Sequence, residues 1–189
     1  WFQRRAIRSG NGVAITIRDV SEARQQVETL AVMARTDSLT GLPNRHWLND
    51  YLPNALKKSI EKNHRVALLY LDLDNFKDIN DSLGHKAGDE ILCSVADALR
   101  SVLNKNDQVA RLGGDEFTVV LEQMEDPSDI ARVADSILEA LSRQLKLTNG
   151  AGHRVSASVG ISVYPDHGED ADTLIKHADV AMYAAKSAG

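Results

Sequence analysis

Among the 189 residues there is one cysteine, Cys93. A lone thiol, on the apolar side of an expected helix, fits a reducing compartment and excludes an internal disulfide. The histidines His46, His64, His85, His153, His167 and His177 are scattered, and no His/Cys set has zinc spacing. No stretch approaches the ~18 consecutive apolar residues that a membrane span requires, and no signal-peptide pattern is read. There is no Lys/Arg-rich run, and with a net charge of −5 this argues against a nucleic-acid surface. What is present is 43% hydrophobic content, enough to bury one core and a small extension.

The most informative segment is Arg111-Leu112-Gly113-Gly114-Asp115-Glu116-Phe117. Two glycines between β-forming flanks suit a tight hairpin turn, because glycine adopts positive φ without steric cost. Two acids follow at once, and neighbouring strand residues point to opposite faces. Asp115 and Glu116 are therefore expected to do different jobs, one at a cation and the other toward a second partner.

A second acidic element supports the first. Val66 to Leu71 is a nearly continuous apolar run, the pattern of a strand buried on both faces. It ends in Asp72-Leu73-Asp74, after which Asn75 to Asp81 begins a helix. Ligands bind outside such strand ends, and a helix start offers unpaired N–H groups to phosphate. Carboxylates beside a phosphate cradle call for a divalent cation between them. Oxygen ligands shared with substrate phosphates describe magnesium.

With these pieces in order, the chain from about Asp37 onward resembles the GGDEF domain, the diguanylate cyclase family. The resemblance is carried by Asp37-Ser38-Leu39-Thr40-Gly41-Leu42-Pro43-Asn44-Arg45, by Leu71 to Asp81, by Gly84-His85-Lys86-Ala87-Gly88-Asp89, by the hairpin, and by Ala178 to Lys186. It implies that two GTP condense to cyclic di-GMP, with loss of two pyrophosphates, at a dimer interface with Mg²⁺ or Mn²⁺. By position, Asp72 and Asp115 would ligate metal with the Leu73 carbonyl. Glu116 would assist at the metal or deprotonate the attacking hydroxyl. The first N–H groups of the helix at Asn75, Phe76 and Lys77 would hold phosphate, with Lys186 adding charge. Asn80 and Asp89 would read guanine.

The resemblance also implies what is altered. The inhibitory Arg-x-x-Asp of many members reads Asn104-Lys105-Asn106-Asp107 here, so the Asp is kept and the guanidinium is lost. Feedback inhibition through this site is expected to be weak or absent. The sequence given stops at Gly189, where the family commonly continues with a phosphate-binding Arg and often with an EAL phosphodiesterase domain. The rival expectation is a silent GTP-binding module that controls such a neighbour. A cytoplasmic site without direct membrane contact is expected, leaving room for a membrane tether elsewhere in the parent protein.

Three segments are expected along the chain. Residues 1–20 read as basic and then a strand at Val13–Ile17, which resembles the end of a PAS sensor domain and is equally an arbitrary strand. Residues 21–36 read as a linker helix capped by Ser21, with Val27, Leu30 and Ala34 as a short coiled-coil seam or as a packed face. Residues 37–189 form the main domain. Its helices are expected at 44–61 (Trp47, Leu48, Leu52, Leu56 and Ile60 inward), 75–82, 86–103, 127–145 (Ile130, Ile137, Leu138 and Leu141 inward) and from Asp170 or Asp172 onward. The hairpin is expected at 108–122 and a strand through Val155–Val163. An antiparallel hairpin combined with crossover helices gives an α+β, palm-like sheet of the ferredoxin-like kind, akin to nucleotide cyclases. Phe76 is expected as a core plug, Asp74 as support for the metal loop, His85 as a turn stabiliser, and Arg45 as anchor of a loop carboxylate.

Overall fold

A computed structural model describes residues 1–9, 12–124, 126–143, 145–146 and 152–188. The chain divides into two units, Trp1–Arg35 and Thr36–Gly189.

The first unit holds β1 (Phe2–Ser9), β2 (Gly12–Asp19) and α1 (Ser21–Arg35). The expected single strand is thus half of an antiparallel hairpin, with Phe2 opposite Asp19 and Ser9 opposite Gly12. Ser21 is not the cap. It is the first helical residue, and its N–H donates to Asp19 Oδ1 at 2.9 Å. The Val27 and Leu30 side chains of the expected seam lie outside the described residues, and Ala34 is exposed.

The second unit contains α2 (Arg45–Lys62), β3 (Arg65–Leu73), α3 (Phe76–Leu83), α4 (His85–Val102), β4 (Gln108–Gly113), β5 (Glu116–Met124), α5 (Pro127–Ser142), β6 (Leu145–Lys146), β7 (Gly152–His153), β8 (Ala157–Tyr164) and α6 (Ala171–Ala188). Four strands form one sheet in the order β4-β5-β3-β8, with every neighbour antiparallel. The helical connections β3-α3-α4-β4 and β5-α5-β8 make this the ferredoxin-like arrangement. It is the α+β, palm-like fold expected from the sequence.

β3 lies in the middle, and its side chains alternate between two cores. Leu69, Leu71 and Leu73 join Phe117, Val119 and Leu121 beneath α3, α4 and α5. Leu68, Tyr70 and Val120 join α2 and α6. This two-sided burial explains the unbroken apolar run. α6 packs closely on β8 because Gly160 has no side chain. A Cβ there would stand 2.0 Å from the Ala178 carbonyl oxygen.

Two residues of the expected apolar stripes do not reach the core, although Leu141, one turn beyond Leu138, is buried. Ile60, near the end of α2, and Leu138, in α5, are both exposed. α5 stops at Ser142, and Leu145–Lys146 pairs with Gly152–His153 instead of extending it. Asn44 caps α2 by accepting from Trp47 N at 3.0 Å, and Asp170 caps α6 by accepting from Thr173 N at 2.8 Å.

Candidate functional site

The site forms where β3 ends beside the β4–β5 hairpin. The expected Gly-Gly turn is displaced by one residue: Gly113 pairs with Glu116, and the loop residues are Gly114, at φ 54°, and Asp115. A bulge between Arg111 and Gly113 supplies the extra residue. Asp115 therefore sits in the turn and Glu116 opens β5. Glu116 lies opposite Asp72 across the sheet, and Leu73 N–H donates to the Asp115 carbonyl at 3.3 Å. Directly opposed residues share a face, so Asp72 and Glu116 both lie on the α2/α6 side.

Each of these carboxylates has a cation. The Lys186 ammonium, from the last turn of α6, donates to Asp72. This hydrogen bond raises the Lys186 pKa, and the charges of Asp72, Asp115 and Asp74 add to the effect. Arg45 Nη2 donates to Glu116 Oε2 at 2.9 Å, and its Nε donates to the Leu112 carbonyl at 3.4 Å. The carboxylate that Arg45 anchors is thus a site residue rather than a loop acid. Beneath them Tyr70 is buried, and burial together with the Glu116 charge pushes its hydroxyl up to about 12. Arg45, Tyr70 and Leu112 also line a cleft of about 330 Å³ with Asp172, Lys176 and Asp179. Among the described residues, no three His, Cys, Asp or Glu side chains are gathered closely enough to hold a metal ion.

Asp74 accepts from Ser158 Oγ at 2.8 Å, while its N–H donates to the Ser156 carbonyl at 2.9 Å. It steadies the loop after β3. Asn75 adopts a left-handed conformation, φ 55°, and does not cap α3 with its side chain. Phe76 is buried in the core, and Lys77 is exposed. α3 ends at Gly84, φ 83°, whose N–H donates to the Asn80 carbonyl at 2.9 Å. His85 opens α4 exposed, and among the described residues its side chain has no hydrogen bond that would steady the turn. The Asn80 side chain faces α4, where Gly88 is buried against it and Asp89 is exposed.

The altered inhibitory segment is a closed turn. Asp107 is buried, and its Oδ2 accepts from Asn104 N at 3.0 Å. Burial raises the Asp107 pKa, against the hydrogen bonds from Asn104 and Glu122.

The sequence reading assigned no role to Asp37 or Arg111, yet they tie the site together. Arg111 Nη1 donates to both Asp37 oxygens at 2.9 and 3.1 Å, and its Nε and Nη2 donate to the Gly114 carbonyl at 3.1 and 2.7 Å. Asp37 also accepts from Thr40 N and Thr40 Oγ1. Burial acts to raise the Asp37 pKa, but the Thr40 and Arg111 hydrogen bonds prevail and hold it below the usual range. The available signal was that Asp37 opens one of the segments that carry the family resemblance, and Arg111 precedes the glycine pair of another.

The sequence and the fold resemble those of known proteins. The diguanylate cyclase TpbB of Pseudomonas aeruginosa is 42% identical over 167 residues, covering 87% of this chain and 38% of TpbB. The cyclic di-GMP phosphodiesterase PdeR of Escherichia coli is 39% identical over 200 residues, covering 100% of this chain and 29% of PdeR. The chain thus spans well under half the length of these relatives. Among solved structures, the GGDEF domain of TpbB matches with a TM-score of 0.79 at 42% identity, covering 82% of this chain and 90% of that one. The coiled coil and GGDEF domain of DgcB from Caulobacter crescentus, in complex with c-di-GMP, matches with a TM-score of 0.80 at 30% identity, covering 90% of each. The profile of the family described as "Diguanylate cyclase, GGDEF domain" matches residues 34–189, and by that match, together with the shared fold, the chain belongs to the GGDEF domain family.

Proposed function

We propose that the domain is a diguanylate cyclase that joins two GTP into cyclic di-GMP. The observation that carries this reading is the delivery of Asp115 and Glu116 to the end of β3, beside Asp72 and Lys186. In each half of the reaction a ribose 3′-hydroxyl attacks the α-phosphorus of the other nucleotide and pyrophosphate leaves. Each domain presents one GTP, so two copies must face each other. GTP as substrate accords with a cytoplasmic site.

Catalysis of this kind is mainly positioning and charge neutralisation. The donor chemistry at the β3 end suits a hard divalent cation, since every candidate is oxygen. Asp72, Asp115 and the Leu73 carbonyl would hold Mg²⁺ or Mn²⁺, with Glu116 assisting. The lodging of the Lys186 ammonium on Asp72 supports this fit, because it marks where the carboxylates accept positive charge. The bound ion supplies charge neutralisation at the phosphates and favours ionisation of the attacking hydroxyl. Asn75, Phe76 and Lys77 offer first-turn N–H groups to the terminal phosphates, and Lys186 exchanges Asp72 for phosphate. Glu116 orients or deprotonates the hydroxyl. Asp89 accepts from guanine N1–H and the 2-amino group while Asn80 bonds the other edge, a pattern adenine cannot complete. Product feedback through Asn104 and Asp107 is weak or absent in this reading, since Asn104 replaces the guanidinium and Asp107 is buried in its own turn.

A second reading has one observation of its own: PdeR, matched along the whole chain, carries a phosphodiesterase name. Here the domain binds GTP without turnover and controls an adjacent EAL domain. Residues 1–20 as the end of a PAS-like sensor, and 21–36 as a linker that pairs chains, belong to either reading. Incubation with GTP and Mg²⁺ followed by chromatography separates the two. Cyclic di-GMP that falls at least ~100-fold in Asp115→Ala establishes the cyclase. GTP binding without product in a dimeric form of the chain extended past Gly189 would leave the regulatory module.

A further inference from the structure

α4 contains a glycine that its own backbone does not require. Gly88 is the fourth residue of α4, in its first turn, where its N–H donates to the Gly84 carbonyl at 3.2 Å, and it has no positive φ. Glycine within a helix is less favourable than alanine by up to about 1 kcal/mol, so a glycine here calls for a packing reason. That reason is Asn80. A Cβ on Gly88 would stand 2.0 Å from Asn80 Oδ1, 3.0 Å from Asn80 Cγ and 3.3 Å from Phe76 Cζ. The Asn80 amide therefore lies directly on the bare backbone of α4, next in sequence to Asp89. Phe76 closes the same contact from the core side.

We propose that Gly88 is a specificity-setting residue. It is the socket that holds the Asn80 amide beside Asp89, so that the two side chains together select guanine. The inference rests on the reading of the domain as a GTP-binding cyclase and deepens it. Gly88 touches no substrate; it acts through Asn80 and is a positioning residue. Asn80 makes no side-chain hydrogen bond to the protein among the described residues, so packing alone fixes its rotamer. The contrast with Gly160 is instructive. There the added Cβ meets the α6 backbone, which cannot step aside, whereas at Gly88 it meets the end of a side chain that can swing. Gly88→Ala should accordingly leave the fold intact and turn Asn80 away from the base.

The test titrates the 189-residue chain with fluorescent GTP and fluorescent ATP in Ca²⁺, for wild type, Gly88→Ala, Asn80→Ala and the double variant, with thermal melts alongside. Wild type is expected to prefer GTP. Gly88→Ala is expected to weaken GTP at least tenfold while leaving ATP within twofold, and the double variant to match Asn80→Ala. Equal losses for both nucleotides, or a double variant that loses the product of the two single effects, would overturn the socket. If Gly88→Ala fails to fold, the double variant decides, because it removes the clashing amide. A folded, unselective double variant supports the socket, and an unfolded one makes Gly88 a packing residue only. Wild type that binds GTP no better than ATP defeats the guanine reading itself, whereas selective wild type with unchanged Gly88→Ala defeats only this inference.

Discussion

Arg111 and Arg45 each hold a carboxylate at 2.9 Å, and both reach the same hairpin. Their surroundings separate them. The Arg111 and Asp37 side chains are 10% and 20% exposed, while those of Arg45 and Glu116 are 52% and 34% exposed. Arg111 also spends its remaining donors on the Gly114 carbonyl, so one guanidinium fixes both the turn at Asp37–Thr40 and the hairpin tip. Arg45 holds the carboxylate proposed to act on the attacking hydroxyl. The shielded pair belongs to the frame around this site, and the exposed one holds a group that solvent and substrate can reach.

The largest effect expected of this difference is on stability. Arg111→Ala leaves Asp37 half-enclosed without its cation and frees the tip carbonyl. It should cost about 3 kcal/mol, near the lower end for breaking a buried pair, read as a lowered urea midpoint. Arg111→Lys should recover only part of this, since an ammonium cannot serve Asp37 and Gly114 in one plane. A loss under ~1 kcal/mol in Arg111→Ala, the range of exposed pairs, would erase the contrast.

Acid sharpens the comparison next. Asp37 is held below the ordinary aspartate value of ~4. Its ionised form therefore contributes stability that is fully present above that value and is lost as pH falls through the depressed folded pKa. Denaturation midpoints measured downward from pH 5 should fall for wild type. In Asp37→Asn, which is less stable at neutral pH, that part of the decline should be missing. An unchanged acid slope in the variant would remove Asp37 from the frame.

The frame and the site were legible to different degrees. The β3 run and the glycine pair could be read directly, because burial on two faces and tight turning leave local marks in residue type. The off-by-one turn could not, since the bulge at Arg111–Gly113 accompanies a guanidinium that reaches Gly114 and Asp37 at once. Arg111 and Asp37 are 74 residues apart, and Arg45 and Glu116 are 71 apart. No local pattern states such a pairing. β1 was missed because Arg4, Arg5 and Arg8 hide its alternation, although Ser9-Gly10-Asn11-Gly12 is a turn signal. Ile60 and Leu138 were misplaced because an apolar residue at the edge of a stripe is counted with the face, while Leu138 is exposed between buried Ile137 and Leu141 and Ile60 beside buried Ser59.

Arg45→Ala should show the smallest change in stability and the most informative change in the site. Exposed pairs of this kind contribute under ~1 kcal/mol, so the melt should barely move. Glu116 would lose its competing cation, and the β3 end would become more negative by one charge. Mn²⁺ binding, followed by the loss of its free-ion paramagnetic signal, should then tighten by roughly two- to fivefold, the scale of one charge at a solvated site. Product formation at saturating metal should nevertheless fall, because Glu116 is no longer oriented. The two readouts move in opposite directions only if Arg45 holds a working carboxylate. A parallel fall in both, accompanied by a lower melting temperature, would return Arg45 to the frame beside Arg111.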